Sequence, residues 1–168
     1  DFGSGDTGDP ESWKRALSGR AFDAVVHRAS ANRFGDSDYP IQALRVNVQG
    51  TRNLLAALDR HHLRCFLYCS TFHVYGVQEG TIDEGAPPAP ANDYGLTHLL
   101  AEEYIRFFHR TCNLPYCVFR LSNGYGCPKA LENTQWHLVL NDFSRSAWEK
   151  GEIRMGSPGT ACRDFIWM

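Results

Sequence analysis

Arg64-Cys65-Phe66-Leu67-Tyr68-Cys69-Ser70-Thr71 is the stretch that decides the fold. Its apolar run is too short for a helix, rich in aromatic residues, and closed by two hydroxyl side chains, the pattern of a buried strand. Two further runs read the same way: Ala21 to Ala29, built on Phe22-Asp23-Ala24-Val25-Val26-His27, and Tyr116-Cys117-Val118-Phe119-Arg120-Leu121. Between them lie segments with helical spacing. In residues 40–58 the apolar positions are Ile41, Leu44, Val48, Leu54, Leu55 and Leu58, and Asp93 to Arg110 reads as a second long helix. Asp9-Pro10-Glu11 is a helix start, with the carboxylate as cap and proline at the first helical position. Thr134 to Lys150 is expected to be helical and Glu152 to Met155 a short strand. Arg163 to Met168 is expected to be a strand entering a core. Strands alternating with helices imply an α/β fold with a parallel sheet built from crossovers.

Composition bounds the function. With 168 residues, 43% hydrophobic and 21% charged, the chain can build one globular core. A net charge of -2 gives no field for nucleic acid, and no apolar run is long enough to span a membrane. Six cysteines stand singly without a C-x-x-C, which fits reduced, mostly buried thiols in a cytosolic protein. The histidines have no metal-ligand spacing. Ser70 lacks the G-x-S-x-G setting of a hydrolase nucleophile. Gly3-Ser4-Gly5-Asp6-Thr7-Gly8 matches G-x-G-x-x-G in letters alone. No strand precedes it, and Asp6 and Asp9 would face a pyrophosphate, so a turn leading into a helix is expected.

In a parallel sheet ligands sit beyond the carboxyl ends of the strands. Ala29-Ser30, Ser70-Thr71 and Ser122-Asn123 follow such ends, and the long loop from Thr71 to Asn92 is rich in Gly and Pro. Loops of that length in a compact domain are usually functional. Tyr94 opens the following helix, with His98 one turn on and facing the same way. Each also has a bland reading: Tyr94 as a helix-start aromatic packed on the core, His98 as a solvated surface residue.

Six segments in order carry a resemblance: Asp6-Thr7, Asp23 to Ser30, Val46 to Thr51, Tyr68 to Gly76 together with Tyr94-Gly95-Leu96-Thr97-His98, Arg120 to Gly126, and Arg163 to Ile166. They resemble the extended short-chain dehydrogenase/reductase family, the NAD-dependent sugar-nucleotide epimerases and dehydratases. The resemblance implies a Rossmann-like doubly wound parallel sheet, with residues 1–123 as part of the NAD-binding domain and 124–168 as the beginning of a substrate-binding region. It implies an internal fragment, since the family's glycine-rich turn would precede Asp1. The isolated chain is therefore expected to bind NAD weakly or not at all.

The resemblance also assigns roles. Thr71, Tyr94 and His98 are the catalytic candidates: Tyr94 as base, Thr71 as the residue that orients the sugar hydroxyl, and His98 where the family has lysine. Asp6, Thr7, Ala29, Ser30, Asn47, Tyr94 and His98 are cofactor candidates, and Thr71, Asn123 and Arg163 substrate candidates. The cofactor is NAD, with NADP left open. Partners are a nucleotide-sugar substrate and a second copy, through helices 40–58 and 93–110.

The family's reaction moves a hydride between sugar and NAD through a ketosugar. Its tyrosine must lose a proton near neutrality, although a free phenol has a pKa near 10. A cation helps by favouring the charged form. Histidine at position 98 is mostly uncharged at neutral pH, which predicts slow turnover. Dehydratases of the family carry Asp-Glu after the catalytic threonine, where this chain has Phe72-His73. Epimerisation is therefore the expected chemistry. Trp136 and the following helix resemble epimerases of surface-polysaccharide pathways. A catalytically impaired, dimerising member of the family is the alternative, and a dehydratase or reductase of the same family another.

Overall fold

The computed structural model describes residues 5–31, 37–76, 80–126, 129, 135–160 and 162–167. Residues 1–120 and 121–168 form two compact units. In the first unit α1 (Pro10–Leu17) starts on the Asp9 carboxylate, which accepts from the amides of Glu11 and Ser12 at 3.0 and 3.1 Å. The turn before it is pinned by the Trp13 indole, which donates to the Thr7 carbonyl at 2.9 Å. Gly3 and Ser4 lie outside the described residues.

β1 (Ala24–His27) pairs in parallel with β2 (Cys65–Thr71), His27 standing opposite Tyr68. The sheet order is β1-β2-β3, with β3 at Tyr116–Leu121. β1 is shorter than its apolar run and is not buried throughout: Val26 is 59% exposed at this edge of the sheet. The chain between β1 and β2 forms one continuous helical path, α2 (Tyr39–Ala43), a π-helical segment Leu44–Gln49, and α3 (Gly50–Ala57). The residues this path buries are Tyr39, Ala43, Asn47, Gly50, Thr51, Asn53, Leu54, Leu55 and Leu58. Ile41 and Leu44, which share the expected apolar spacing, lie outside the core. Period counting alone mistook a second, exposed apolar face for the first.

β2 runs into a 3-10 turn at Phe72–Tyr75, and α4 (Asp93–Cys112) follows the loop. Two glycines let this loop close. Gly76 has φ +72°, and a Cβ there would stand 2.0 Å from the Ala89 carbonyl oxygen. At Gly95 a Cβ would meet the His73 carbonyl oxygen at 2.4 Å, so only glycine lets α4 start against the turn after β2. The core joins Leu54, Leu55, Leu58, Phe66, Tyr68, Ala101, Ile105 and Leu114. It holds helix and sheet together below the carboxyl ends of β1 and β2.

In the second unit β4 (Asn123–Tyr125) pairs in parallel with β5 (Phe165–Trp167), and α5 spans Val139–Lys150. Thr134, the first residue of the expected helix, lies outside the described residues, and Glu152–Met155 forms no strand. β5 forms as expected but enters no core; Trp167 is 75% exposed. Among the described cysteines, Cys65 and Cys69 are half-buried free thiols, while Cys112, Cys117 and Cys162 are exposed, against the expectation of mostly buried thiols. Among the described residues, no helix is long and apolar enough to cross a membrane.

Candidate active site at the ends of β1 and β2

The site begins with a capped helix. The Asn92 side chain accepts from the Gly95 amide at 2.8 Å, satisfying one of the free N–H groups at the start of α4. That start places Tyr94 beside the end of β2. The Thr71 hydroxyl accepts from the His73 amide at 3.2 Å and is hydrogen-bonded to Tyr94. This bond eases Tyr94 toward the phenolate. Burial outweighs it and holds the phenol above its ordinary range. The His73 ring meets Tyr94 edge-on at 5.5 Å.

His98 is buried, not a solvated surface residue, and its ring meets the Tyr94 ring at 4.6 Å. Its Nδ1 is 2.8 Å from the Tyr68 hydroxyl and its Nε2 3.1 Å from Ser30 Oγ. Burial pushes its pKa down to about 4; Glu102 opposes this shift and His73 adds to it. Position 98 therefore carries no positive charge at neutral pH. The three predicted catalytic residues Thr71, Tyr94 and His98 come together, and the residue at the family's lysine position is a neutral imidazole.

Ser30 reaches this group from β1, through His98. Ala29 precedes it, half-buried. Asn47 is fully buried, and both ends of its amide are taken inside the protein. Oδ1 accepts from the Ala31 amide at 2.8 Å, and Nδ2 donates to Thr97 Oγ1 at 2.9 Å. Asp6 is ion-paired with Arg45 and accepts from the Gly8 amide at 2.8 Å. Thr7 lies against Gly50, where an added Cβ would stand 3.1 Å from its side chain. In the second unit the Asn123 amide side chain donates to the Asp164 carbonyl at 3.0 Å, next to Arg163, which is exposed.

Sequence reasoning missed a set of buried polar residues behind the site. The His27 ring stacks on Tyr68 at 5.4 Å, and its Nε2 lies 2.8 Å from Thr51 Oγ1. Ser70 donates to Glu102 at 2.6 Å. Glu102 also binds Arg120 through two bonds of 3.1 and 2.7 Å, and Arg106 at 2.7 Å. Glu102, four residues after His98 and so on the same helix face, was the available signal, since a charge packed on that face would need a partner.

A family model described as "NAD dependent epimerase/dehydratase family" matches residues 1–168. The chain belongs to this family. It is 33% identical to a putative UDP-arabinose 4-epimerase 4 of Arabidopsis thaliana, over 96% of this chain and 41% of that protein. It is 35% identical to a dTDP-glucose 4,6-dehydratase of Streptomyces niveus, over 74% of this chain and 37% of that protein. Its fold matches a crystal structure of the UDP-glucuronic acid 4-epimerase of Bacillus cereus in complex with NAD. The TM-score is 0.76 at 26% identity, covering 92% of this chain and 48% of that one. The chain thus spans less than half the length of these three proteins.

For this epimerase/dehydratase chain the two halves of the site differ in how they suit NAD. Thr71 and Tyr94 place a hydroxyl and a phenol side by side at the end of β2. At position 98 both imidazole nitrogens are engaged within the protein, leaving no N–H for a cofactor ribose. The residues fit the reacting end of the cofactor and not its ribose.

Proposed function

We propose that the protein containing this chain epimerises a nucleotide sugar, with a UDP-linked sugar as the first candidate. NAD, when bound, supplies the hydride acceptor and donor. As the phenolate, Tyr94 Oη takes the proton of the sugar hydroxyl as the carbinol becomes a ketone, and returns it when the hydride is delivered to the opposite face. Thr71 holds that hydroxyl and the phenol in line. Phe72-His73 after Thr71 offers no carboxylic acid to expel a hydroxyl, which favours epimerisation over dehydration.

The observation that carries this reading is the Thr71–Tyr94 hydrogen bond at the carboxyl end of β2, where parallel sheets bind ligands. We assign residues 1–123 to a cofactor-binding domain and 124–168 to the start of a substrate-binding region, with Asn123 and Arg163 toward the substrate. The setting is cytoplasmic. A second copy is expected to cover the exposed apolar stripe of Leu96, Leu100, Tyr104 and Phe107 on α4, together with Ile41 and Leu44. Light scattering on wild type and Leu100→Glu tests that association.

The neutral His98 favours a second reading, an impaired enzyme that keeps its partner surface. Full-length protein supplied with NAD and a set of UDP-sugars separates the two. Appearance of the epimer by proton NMR, lost in Tyr94→Phe, supports epimerisation. Dimerisation with no epimer from any of these sugars supports the impaired reading.

A further inference from the structure

The proton chemistry leaves Tyr68 and His98 without a task, although both are buried at the centre of the first unit. We propose that Tyr68 is a positioning residue: its hydroxyl fixes His98 as the neutral Nε2–H tautomer and starts a one-way chain of hydrogen bonds that locks the end of β1 to the start of α4. The order of donors follows from the inventory of partners. Tyr68 is fully buried, and its phenol has His98 Nδ1 as its hydrogen-bond partner, at 2.8 Å. A buried phenol hydrogen needs an acceptor, so Nδ1 accepts it. The ring proton therefore sits on Nε2 and is donated to Ser30 Oγ at 3.1 Å. Ser30 passes its own hydrogen to the Ala31 carbonyl at 3.3 Å, which the Tyr39 hydroxyl also reaches at 3.4 Å.

The other backbone group of Ala31, its amide in the preceding peptide, is tied in the same direction. The Ala31 amide donates to Asn47 Oδ1, and Asn47 Nδ2 donates to Thr97 Oγ1. Thr97 then donates to the Tyr94 carbonyl at 3.2 Å. At Tyr68, His98, Ser30 and Thr97 the bond accepted or donated on one side fixes the role on the other, while the Ala31 amide and Asn47 Nδ2 are donors by their chemistry. Reversing the imidazole would leave the hydrogen of the fully buried Tyr68 without an acceptor among the described residues. Tyr68 thus acts on Tyr94 and on the β1 end through His98, without touching a ligand. Position 98 is on this account a cross-link among three elements. This order of bonds goes beyond the epimerase reading and stands whether or not the sugar turns over.

The test is nitrogen NMR of histidine-labelled full-length protein, which distinguishes protonated from bare ring nitrogens. Wild type is expected to show His98 with bare Nδ1 and protonated Nε2, unchanged across about pH 5 to 8. Tyr68→Phe is expected to mix the two tautomers. A wild-type proton on Nδ1, or an unchanged ring in Tyr68→Phe, overturns the proposal. Where Tyr68→Phe fails to fold, Ser30→Ala decides. It should keep the tautomer while exposing the Nε2 proton to rapid exchange, and a mixed tautomer or an unaltered Nε2 signal there overturns the ordered chain.

Discussion

Two buried polar clusters sit one turn apart on α4 and solve the same problem in opposite ways. Around His98 the groups stay neutral: two imidazoles, a phenol and hydroxyls exchange single hydrogen bonds. Around Glu102 the groups are charged: a fully buried carboxylate takes bonds from Arg120, Arg106 and Ser70. Burial raises the Glu102 pKa, but the bonds from Arg120 and Ser70 and the two arginine charges outweigh it and hold it below its usual value. The difference is instructive. A neutral cluster can be rearranged at modest cost, whereas an ionised one is rigid because each partner is needed to offset desolvation. The rigid cluster lies behind Ser70, the residue next to Thr71. The neutral cluster lies against Tyr94.

The comparison breaks most directly at Arg120. Arg120→Ala removes the two-bond partner of Glu102 and leaves its charge undercompensated, with an expected loss of about 4 kcal/mol in urea unfolding. A loss below about 1 kcal/mol would show that the charged cluster is no more rigid than the neutral one.

Acid should sharpen the contrast. His27 and His98 are each held at about 4, by burial first, while the unfolded chain protonates near 6.5. Their stabilisation is complete above pH 6.5 and is lost as pH falls toward 4, because only the unfolded state takes up the protons. The slope is about 1.4 kcal/mol per pH unit for each histidine. Glu102 acts the same way at lower pH, its contribution falling only through the carboxylate range. In His98→Gln, denaturant midpoints measured from neutrality down to pH 5 should lose half the slope. An unaltered slope would assign the acid sensitivity elsewhere.

Smaller effects probe the chemistry. His98→Lys in the full-length protein should raise epimerase turnover by at least about tenfold and move the basic rise of its pH profile downward, since a cation beside Tyr94 favours the phenolate. Unchanged turnover would remove position 98 as the limit on chemistry. Asn92→Ala takes away the cap that starts α4 and should cost about 1 kcal/mol by thermal unfolding. A much larger loss would mean that the neutral cluster depends on the helix start for its alignment.

Much of this was legible in the chain. The pairing of Thr71 with Tyr94 rests on the family resemblance alone, whereas the α/β class, α1 and its Asp9 cap and the strand ends follow from short apolar runs, turn residues and helical spacing. Local chemistry sets those features, so local reading finds them. What stayed hidden depends on several elements at once. The burial of Asn47 was not readable because a π-helical segment and two exposed apolar positions blur the periodicity around it. Of Glu102's partners, helical spacing within α4 points to Arg106, four residues on, but nothing in α4 points to Ser70 on β2 or Arg120 on β3.

The sequence by itself determined which groups stand at the carboxyl ends of the strands, and that histidine, not lysine, follows Tyr94 by one turn. Only the tertiary structure decided what that histidine is. Packing against Tyr68 and Ser30 removes it from water, makes its charged form too costly, and commits both ring nitrogens. A side chain's chemistry is inherited from its residue type, but its protonation and its free hydrogen bonds are set by its neighbours, and these come from β1 and β2, distant in the chain.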